Sequence, residues 1–268
     1  MNRALFRSML RLNGRTIASY AFGSALYLWL CIWLYPMIAD ANLMNEMLKT
    51  MPENFLSAFG LEQGIQGLNG FLAGEYYGLI FVLILMIYCV LMATQLLARL
   101  VDRGSMAFLL STPASRARIA VTQAALLVFG LALIALLTTA AGLLGARWLV
   151  DTSDFDVSAF LQINLIGFLL FFVVGGYSFM ISCIANDEKQ ALGISGLFTV
   201  LFFMANFAAN MSEKLDWLHN VTPFSLFSPS DIAAGDVNVA AVAIGLAAAG
   251  IVFYALAVVI FKRRDLPL

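Results

Sequence analysis

Charged residues are scarce in this sequence. Only 12% of the 268 residues are Asp, Glu, Lys or Arg, whereas 62% are hydrophobic and the mean hydropathy is +0.91. A soluble globular domain contains about 25% charged and about 45–50% apolar residues. Lipid rather than water must therefore solvate much of this chain. The net charge of −1 leaves no basic excess for a nucleic-acid partner.

Ionisable side chains are absent from the middle of the long apolar runs, and charges occur only at their ends, as with Arg99 and Arg147. An ionisable group inside a bilayer is costly and usually marks a proton relay or an ion site. Its absence disfavours proton-coupled transport, although backbone carbonyls can bind Na⁺. The sequence also lacks a G-x-x-x-x-G-K-[ST] phosphate loop and an HExxH zinc motif. We therefore expect no catalytic residue, bound cofactor or metal in this chain.

Cysteine and histidine are too few for a disulfide framework or a metal site. Cys31, Cys89 and Cys183 all lie in apolar runs, where cysteine behaves as a small hydrophobic residue. His219 is the single histidine and lies in a polar segment. Neither residue type indicates redox or metal chemistry.

Six apolar runs are long enough to cross a bilayer, which needs about 20 residues in a helix. The predicted spans are residues 17–38, 77–98, 119–150, 160–185, 190–211 and 239–261. The third run exceeds the required length, which predicts a tilt or an extension past one interface. The sequence therefore predicts a single all-α transmembrane domain, 1–268, with six transmembrane helices.

Lysine and arginine are distributed unequally between the two sides of these spans. Twelve precede the first span or follow the second, fourth and sixth, and only Lys49, Arg147 and Lys214 lie on the other side. The positive-inside rule places the side with twelve in the cytoplasm. We therefore expect a plasma-membrane protein with both termini in the cytoplasm, and an even number of spans agrees with this.

The first 16 residues repeat arginine at every fourth position. On a helix these side chains cover one face: Arg3, Arg7, Arg11 and Arg15. The opposite face carries the apolar residues Leu5, Met9, Leu10 and Leu12. This pattern predicts an amphipathic interfacial helix over residues 1–16 that lies along the inner leaflet. It serves either as a topology anchor or as a contact for a protein partner.

The segment 99–118 contains a short apolar cluster between arginines. The cluster consists of Met106, Phe108, Leu109 and Leu110 and is too short to span a membrane. Thr112 followed by Pro113 predicts an N-cap and first turn, from which the third span begins. The cluster is interpreted either as a helix that inserts into a groove of another subunit or as an interfacial helix that dips into lipid.

Two long loops and several uncharged polar residues complete the predicted membrane domain. The loops 39–75 and 212–238 carry apolar residues suited to helices on the outer leaflet, and substrate contact is left open. Gln95, Gln162, Asn206 and Asn210, with Gln123 and Asn164, either line a pathway or make interhelical hydrogen bonds of about 0.6 kcal/mol. The fifth span, with Gly193-x-x-Gly196, is the predicted dimer interface.

The stretch Asp102-Arg103-Gly104-Ser105 followed by Leu109-Leu110-Ser111-Thr112-Pro113-Ala114-Ser115-Arg116 resembles the signature of type-2 ABC exporter permeases. The resemblance extends along the chain through the N-terminal helix, the six spans, Pro223 and the basic C-terminal end. The sequence departs from the family pattern at Asp102, where glutamate is usual, and at Gln123, where lysine is usual.

This resemblance implies a fold and a set of partners. Two permease chains, identical or different, would pair in the membrane, and each would dock on a cytoplasmic ATP-binding subunit that holds ATP and Mg²⁺. The segment Gly104–Leu110 would be the coupling helix, flanked by the turn Asp187–Lys189. The residues implied in coupling are Asp102, Arg103, Gly104, Met106, Phe108, Leu109, Leu110, Pro113 and Arg116.

The uncharged interior suits export of an apolar or amphipathic cargo such as a lipid, peptide or drug. Two other functions remain open from the sequence. One is a membrane scaffold or sensor whose basic face recruits a cytoplasmic partner. The other is an ion-coupled carrier.

Overall fold

The computed structural model describes residues 2–39, 67–111, 114–150 and 155–264, and all regular structure in these ranges is helical. The α-helices are α1 (Arg3–Ala39), α2 (Gly67–Leu72), α3 (Phe81–Leu96), α4 (Ala98–Asp102), α5 (Ser105–Leu110), α6 (Arg116–Leu149), α7 (Val157–Ile184), α8 (Glu188–Met211), α9 (Pro229–Ala234) and α10 (Val239–Arg263). A π-helix, Ala73–Ile80, joins α2 to α3, and two 3₁₀ helices, Glu213–Asn220 and Pro223–Leu226, precede α9.

Within the described ranges, six helical segments are long and apolar enough to cross a membrane. They are α1, the continuous segment from α2 through α3, α6, α7, α8 and α10. This confirms the six predicted spans. The predicted ends of the third to sixth spans agree with the helix ends to within three residues.

The second span is longer than its apolar run predicts. The helix begins at Gly67 rather than at residue 77 and breaks at Leu97, where φ is −135° and ψ is −62°. Glu75 therefore lies inside this helix, on an exposed position of the π-helical segment. It precedes Leu96 by 21 residues, about the length that crosses a bilayer, so it lies near the far boundary of the hydrocarbon. This agrees with the expectation that charges occur only at the ends of the apolar runs.

The first helix continues without a break from Arg3 to Ala39. No helix end therefore occurs at residue 16, where the interfacial helix was predicted to give way to the first span. A helix of 37 residues is about 55 Å long, which exceeds the hydrocarbon thickness and leaves its first turns outside.

The first turns of α1 pack along the start of α6. The Asn2 backbone N–H donates to Thr122 Oγ1 over 2.9 Å, and the Phe6 and Phe129 rings meet edge to face at 5.7 Å. Leu5, Met9 and Leu10 pack against the same core. Leu12, which was predicted to share the apolar face with them, is 72% exposed.

The second, third and fourth spans form the centre of the bundle. In each of these spans, more than half of the most apolar 18-residue stretch is buried. The buried share of the corresponding stretch is only 33% in α1, 22% in α8 and 28% in α10. The peripheral helices therefore offer most of their apolar surface to lipid or to another chain.

Uncharged hydrogen bonds connect the central helices. Ser24 bonds to Tyr76 at 2.6 Å and to Thr138 at 2.7 Å, which joins the first three spans. Asn164 donates to the Tyr77 hydroxyl at 2.7 Å, which joins the second and fourth. Asn164 thus makes an interhelical hydrogen bond, one of the two roles expected for it.

The N-cap of the third span differs from the prediction. The Ser115 hydroxyl accepts from the Arg118 backbone N–H at 3.3 Å, and α6 begins at Arg116. The predicted cap Thr112 and first-turn residue Pro113 precede this helix and lie outside the described residues. Ser115 caps because its side-chain oxygen satisfies a first-turn N–H that has no partner within the helix.

Candidate coupling surface

One end of the bundle collects most of the positive charge, and we call it the basic end. It comprises the start of α1, helices α4 and α5, the start of α6, the turn from Ala185 to Asp187, and the end of α10. The exposed basic side chains here are Arg3, Arg7, Arg11, Arg15, Arg103, Arg118, Lys189, Lys262 and Arg263. Such a surface attracts anionic lipid headgroups or an acidic protein face.

Helix α5 is the predicted coupling helix, and it begins after Gly104 rather than at it. Gly104 has φ of +68°, a left-handed conformation that glycine adopts at little cost and that turns the chain sharply between α4 and α5. The fold therefore explains why glycine is suited to this position.

The apolar cluster of α5 divides into an anchor and a projecting side chain. Met106 is 1% exposed and belongs to the core, and Leu109 is half-buried against it. Phe108 is 79% exposed. The side chain of Leu110 lies outside the described part of the chain. A large aromatic side chain held away from a buried anchor is a feature of protein-binding surfaces rather than of a packed core.

Helix α4 is fixed to the end of the fourth span. The Ala98 backbone N–H donates to Ser182 Oγ at 3.0 Å, and this bond is buried. Ala98, Ala185 and Ala191 form a small buried apolar cluster beside it. Because their side chains are small, the backbones of α4 and of the turn between α7 and α8 approach closely.

Glu188 at the start of α8 makes two contacts with α4. Its Oε2 lies 3.2 Å from Arg99 Nε, and its backbone N–H donates to Asp102 Oδ2 at 3.4 Å. Arg99 and Asp102 are three residues apart and so share one face of α4. The Asp102 carboxylate lies at a helix N-terminus, where the macrodipole favours negative charge.

Arg264 joins the last span to the same turn. Its guanidinium donates to the Cys183 carbonyl at 2.7 Å and to Asn186 Oδ1 at 2.8 Å, and Arg116 donates to the Arg264 carbonyl. Partial burial lowers the pKa of Arg264, but an arginine remains protonated in proteins. Three spans thus meet at Arg264.

The residues predicted for coupling occupy three different environments. Arg103, Gly104 and Phe108 are exposed on the basic end, whereas Asp102 faces Glu188 and Arg116 faces Arg264. The four predicted arginines of α1 lie on the same end but away from the packed face.

The residues predicted for a pathway or dimer interface are not brought together. Gln95 is half-buried near the basic end of α3, and Gln162 bonds within its own helix to Ser158 at 3.5 Å. Asn206 and Asn210 lie near the far end of α8, on the stripe that continues from the buried Thr199. The four side chains therefore do not line one path.

Sequence reasoning did not single out Ser182, Glu188 or Arg264 as site residues. The only sequence signals were the short turn between the fourth and fifth spans and the basic C-terminal end. Both signals were used for topology and for the resemblance, which implied only that the turn Asp187–Lys189 flanks the coupling helix. The partners of these residues are 78 to 148 positions away in the sequence, so their pairing could not be deduced from local patterns.

Six apolar helices and a basic end that carries the short helix α5 define a polytopic membrane domain. The sequence model of the family described as ABC-2 family transporter protein matches residues 24–266, and the chain belongs to this family. It is therefore a transmembrane permease of an ABC transporter, as the resemblance implied. No curated protein matches the sequence.

Proposed function

We propose that this permease is the membrane subunit of an ATP-driven exporter, energised by a separate ATP-binding subunit. The subunit docks on the basic end, both termini lie in the cytoplasm, and the membrane is the plasma membrane. The cargo is apolar or amphipathic, such as a lipid, a peptide or a drug. In support of this cargo class, the buried polar side chains of the described residues include no Asp, Glu, Lys or Arg.

The observation that carries the proposal is the exposure of Phe108 beside the buried Met106. A side chain of this size, 79% exposed on a helix outside the apolar spans, offers an apolar contact to a partner. The exposed arginines of the basic end favour an acidic surface. An acidic groove of a protein partner would satisfy both these charges and the apolar Phe108 side chain.

Purification of the chain in mild detergent, followed by mass spectrometry, tests the proposal. We expect an ATPase with a phosphate-binding loop to co-purify in stoichiometric amount. Recovery of a different cytoplasmic protein would instead support a scaffold or sensor. Transport by the purified chain alone under an ion gradient would show a carrier.

Cysteine labelling tests the orientation. The native Cys31, Cys89 and Cys183 are buried, so they give little background. We expect an impermeant maleimide added to intact cells to label Trp217→Cys, at the end of the bundle opposite the basic end. Phe108→Cys should be labelled only after permeabilisation. The reverse pattern would place the coupling helix outside the cell and contradict the proposal.

We also propose that α8 forms the interface with a second permease chain. It is the least buried of the six spans. A Cβ at Gly193 would meet no heavy atom within 4 Å, and one at Gly196 only the tip of Val90. These glycines therefore make no close packing contact within the chain. Because they lack a side chain, they would let a helix of a second chain approach α8 closely. The asparagines of α8 lie on the inward stripe and are assigned to packing.

Disulfide cross-linking tests this interface. Single cysteines at Leu197, Val200 or Met204, which are exposed on α8, should give cross-linked permease dimers in native membranes. Cysteines at Thr199 and Phe203, on the buried stripe, should not. Equal cross-linking on both stripes, or on neither, would exclude α8 as the interface.

A further inference from the structure

We infer that movement of the coupling helix reaches the fifth span through α4 and Glu188, and not primarily through the second span to which it is covalently joined. Arg99, Asp102 and Glu188 act as positioning residues in this transfer. The inference rests on the proposed function, because it assumes that an ATP-binding subunit moves α5.

Both routes leave α5 through Gly104, but the covalent route to the second span crosses a further break at Leu97. Leu97 leaves the helical region between α3 and α4, and Gly104 takes a left-handed conformation between α4 and α5. A continuous helix transmits a displacement along its axis, whereas a break allows the two parts to reorient. The second span is thus partly decoupled from α5.

The contacts of α4 connect it to the end of α7 and the start of α8. At its first residue, Ala98 bonds to Ser182 and packs against Ala185 and Ala191. At later positions, Arg99 and Asp102 hold Glu188 through its carboxylate and its backbone N–H. This short helix is therefore attached at its start to the end of α7 and at its later positions to the start of α8.

Of the two spans that α4 contacts, α8 is less held by the rest of the chain than α7 is. Only 22% of the most apolar window of α8 is buried, against 61% for the second span. A displacement applied at Glu188 consequently meets little resistance from packing, whereas the second span would have to disturb the bundle centre. The same displacement would reach the proposed dimer interface directly, because that interface lies on α8.

The ion pair between Arg99 and Glu188 suits positioning better than stability. Its side chains are 36% and 28% exposed, and pairs with this exposure contribute little to the free energy of folding. Reversing either charge should therefore leave the chain folded and change the relation between α4 and α8. This makes a charge exchange an informative test.

The experiment uses the purified complex with its ATPase and a fluorophore attached to Leu192→Cys, an exposed position on α8. We expect ATP to change the fluorescence of the complex. Arg99→Glu and Glu188→Arg should each reduce this change about fivefold or more while the ATPase stays bound. The double exchange should restore at least part of it, because the pair is re-formed with opposite polarity.

Lys262→Glu is the matched control, since it reverses a charge at an exposed position of the basic end with no hydrogen bond or ion pair among the described residues. It should respond to ATP as the unmodified chain does. Single variants with an unchanged response, or a double exchange without recovery, would overturn this inference and leave the proposed function standing. An unmodified chain that captures no ATPase would overturn the proposed function and this inference with it.

Discussion

Phe108→Asp should abolish capture of the ATP-binding subunit while leaving the permease folded. Phe108 is 79% exposed and contributes nothing to the packed core, so the substitution removes no buried contact. If the side chain fills a groove of the partner, replacing it with a carboxylate costs the apolar contact and desolvates a charge. Central aromatic anchors of this kind contribute about 2 kcal/mol or more, which corresponds to about 30-fold weaker binding.

The measurement is the amount of ATPase recovered with the permease, together with ATP turnover of the recovered material. Trp217→Asp is the matched control, because it places the same charge at an exposed aromatic position on the opposite end of the bundle. It should leave capture unchanged. Met106→Asp, by contrast, buries a carboxylate in the core and should lower the yield of folded permease. Full capture by Phe108→Asp would exclude α5 as the docking helix.

The spans could be predicted because hydropathy over about 20 residues depends on composition alone. The second span shows the limit of this approach. Its helix begins at Gly67, but Asn69, Gly74 and Glu75 dilute the apolar signal before residue 77. Asn69 nevertheless lies in the packed region because its side chain donates to the Asp156 carbonyl at 2.8 Å. Such a partner, 87 positions away, is not visible in a hydropathy window.

The coupling segment could be located from the sequence, but the roles of its residues could not. The pattern of four apolar residues between arginines does not distinguish the buried Met106 from the exposed Phe108. That difference depends on the direction in which Gly104 starts α5. In the same way, Asp102 was predicted from the family motif, yet its contact with Glu188 follows only from the packing of α4 against the fourth span.

Polar residues in the spans gave the least reliable predictions. Asn164 and Gln162 are both amides on the fourth span. Asn164 bonds across helices to Tyr77 as well as within its own helix to Phe160, whereas Gln162 bonds within its own helix to Ser158. The choice depends on which neighbour lies opposite, since the same side chain satisfies either arrangement. A polar path therefore cannot be assigned from residue type and helical spacing.

Gly142→Leu should destabilise the bundle more than any glycine substitution on its periphery. A Cβ at Gly142 would overlap the ring of Phe160, which is 1% exposed and packs against Phe155 at 5.3 Å and Tyr77 at 6.2 Å. Because these rings leave Phe160 no free direction, the third and fourth spans must separate. Overpacking of this kind typically costs about 1–3 kcal/mol.

The temperature at which half of the detergent-solubilised permease aggregates measures this loss. A cost of 1 kcal/mol lowers the unfolding temperature of a chain of about 150–250 residues by roughly 2–4 °C, so the expected decrease is about 2–12 °C. Gly245→Leu is the matched control, since a Cβ there meets no heavy atom within 4 Å. It makes the same chemical change on an exposed helix face and removes the same backbone freedom. Equal temperatures for the two variants would mean that the third and fourth spans do not pack through Gly142, and that the arrangement of the bundle centre is wrong.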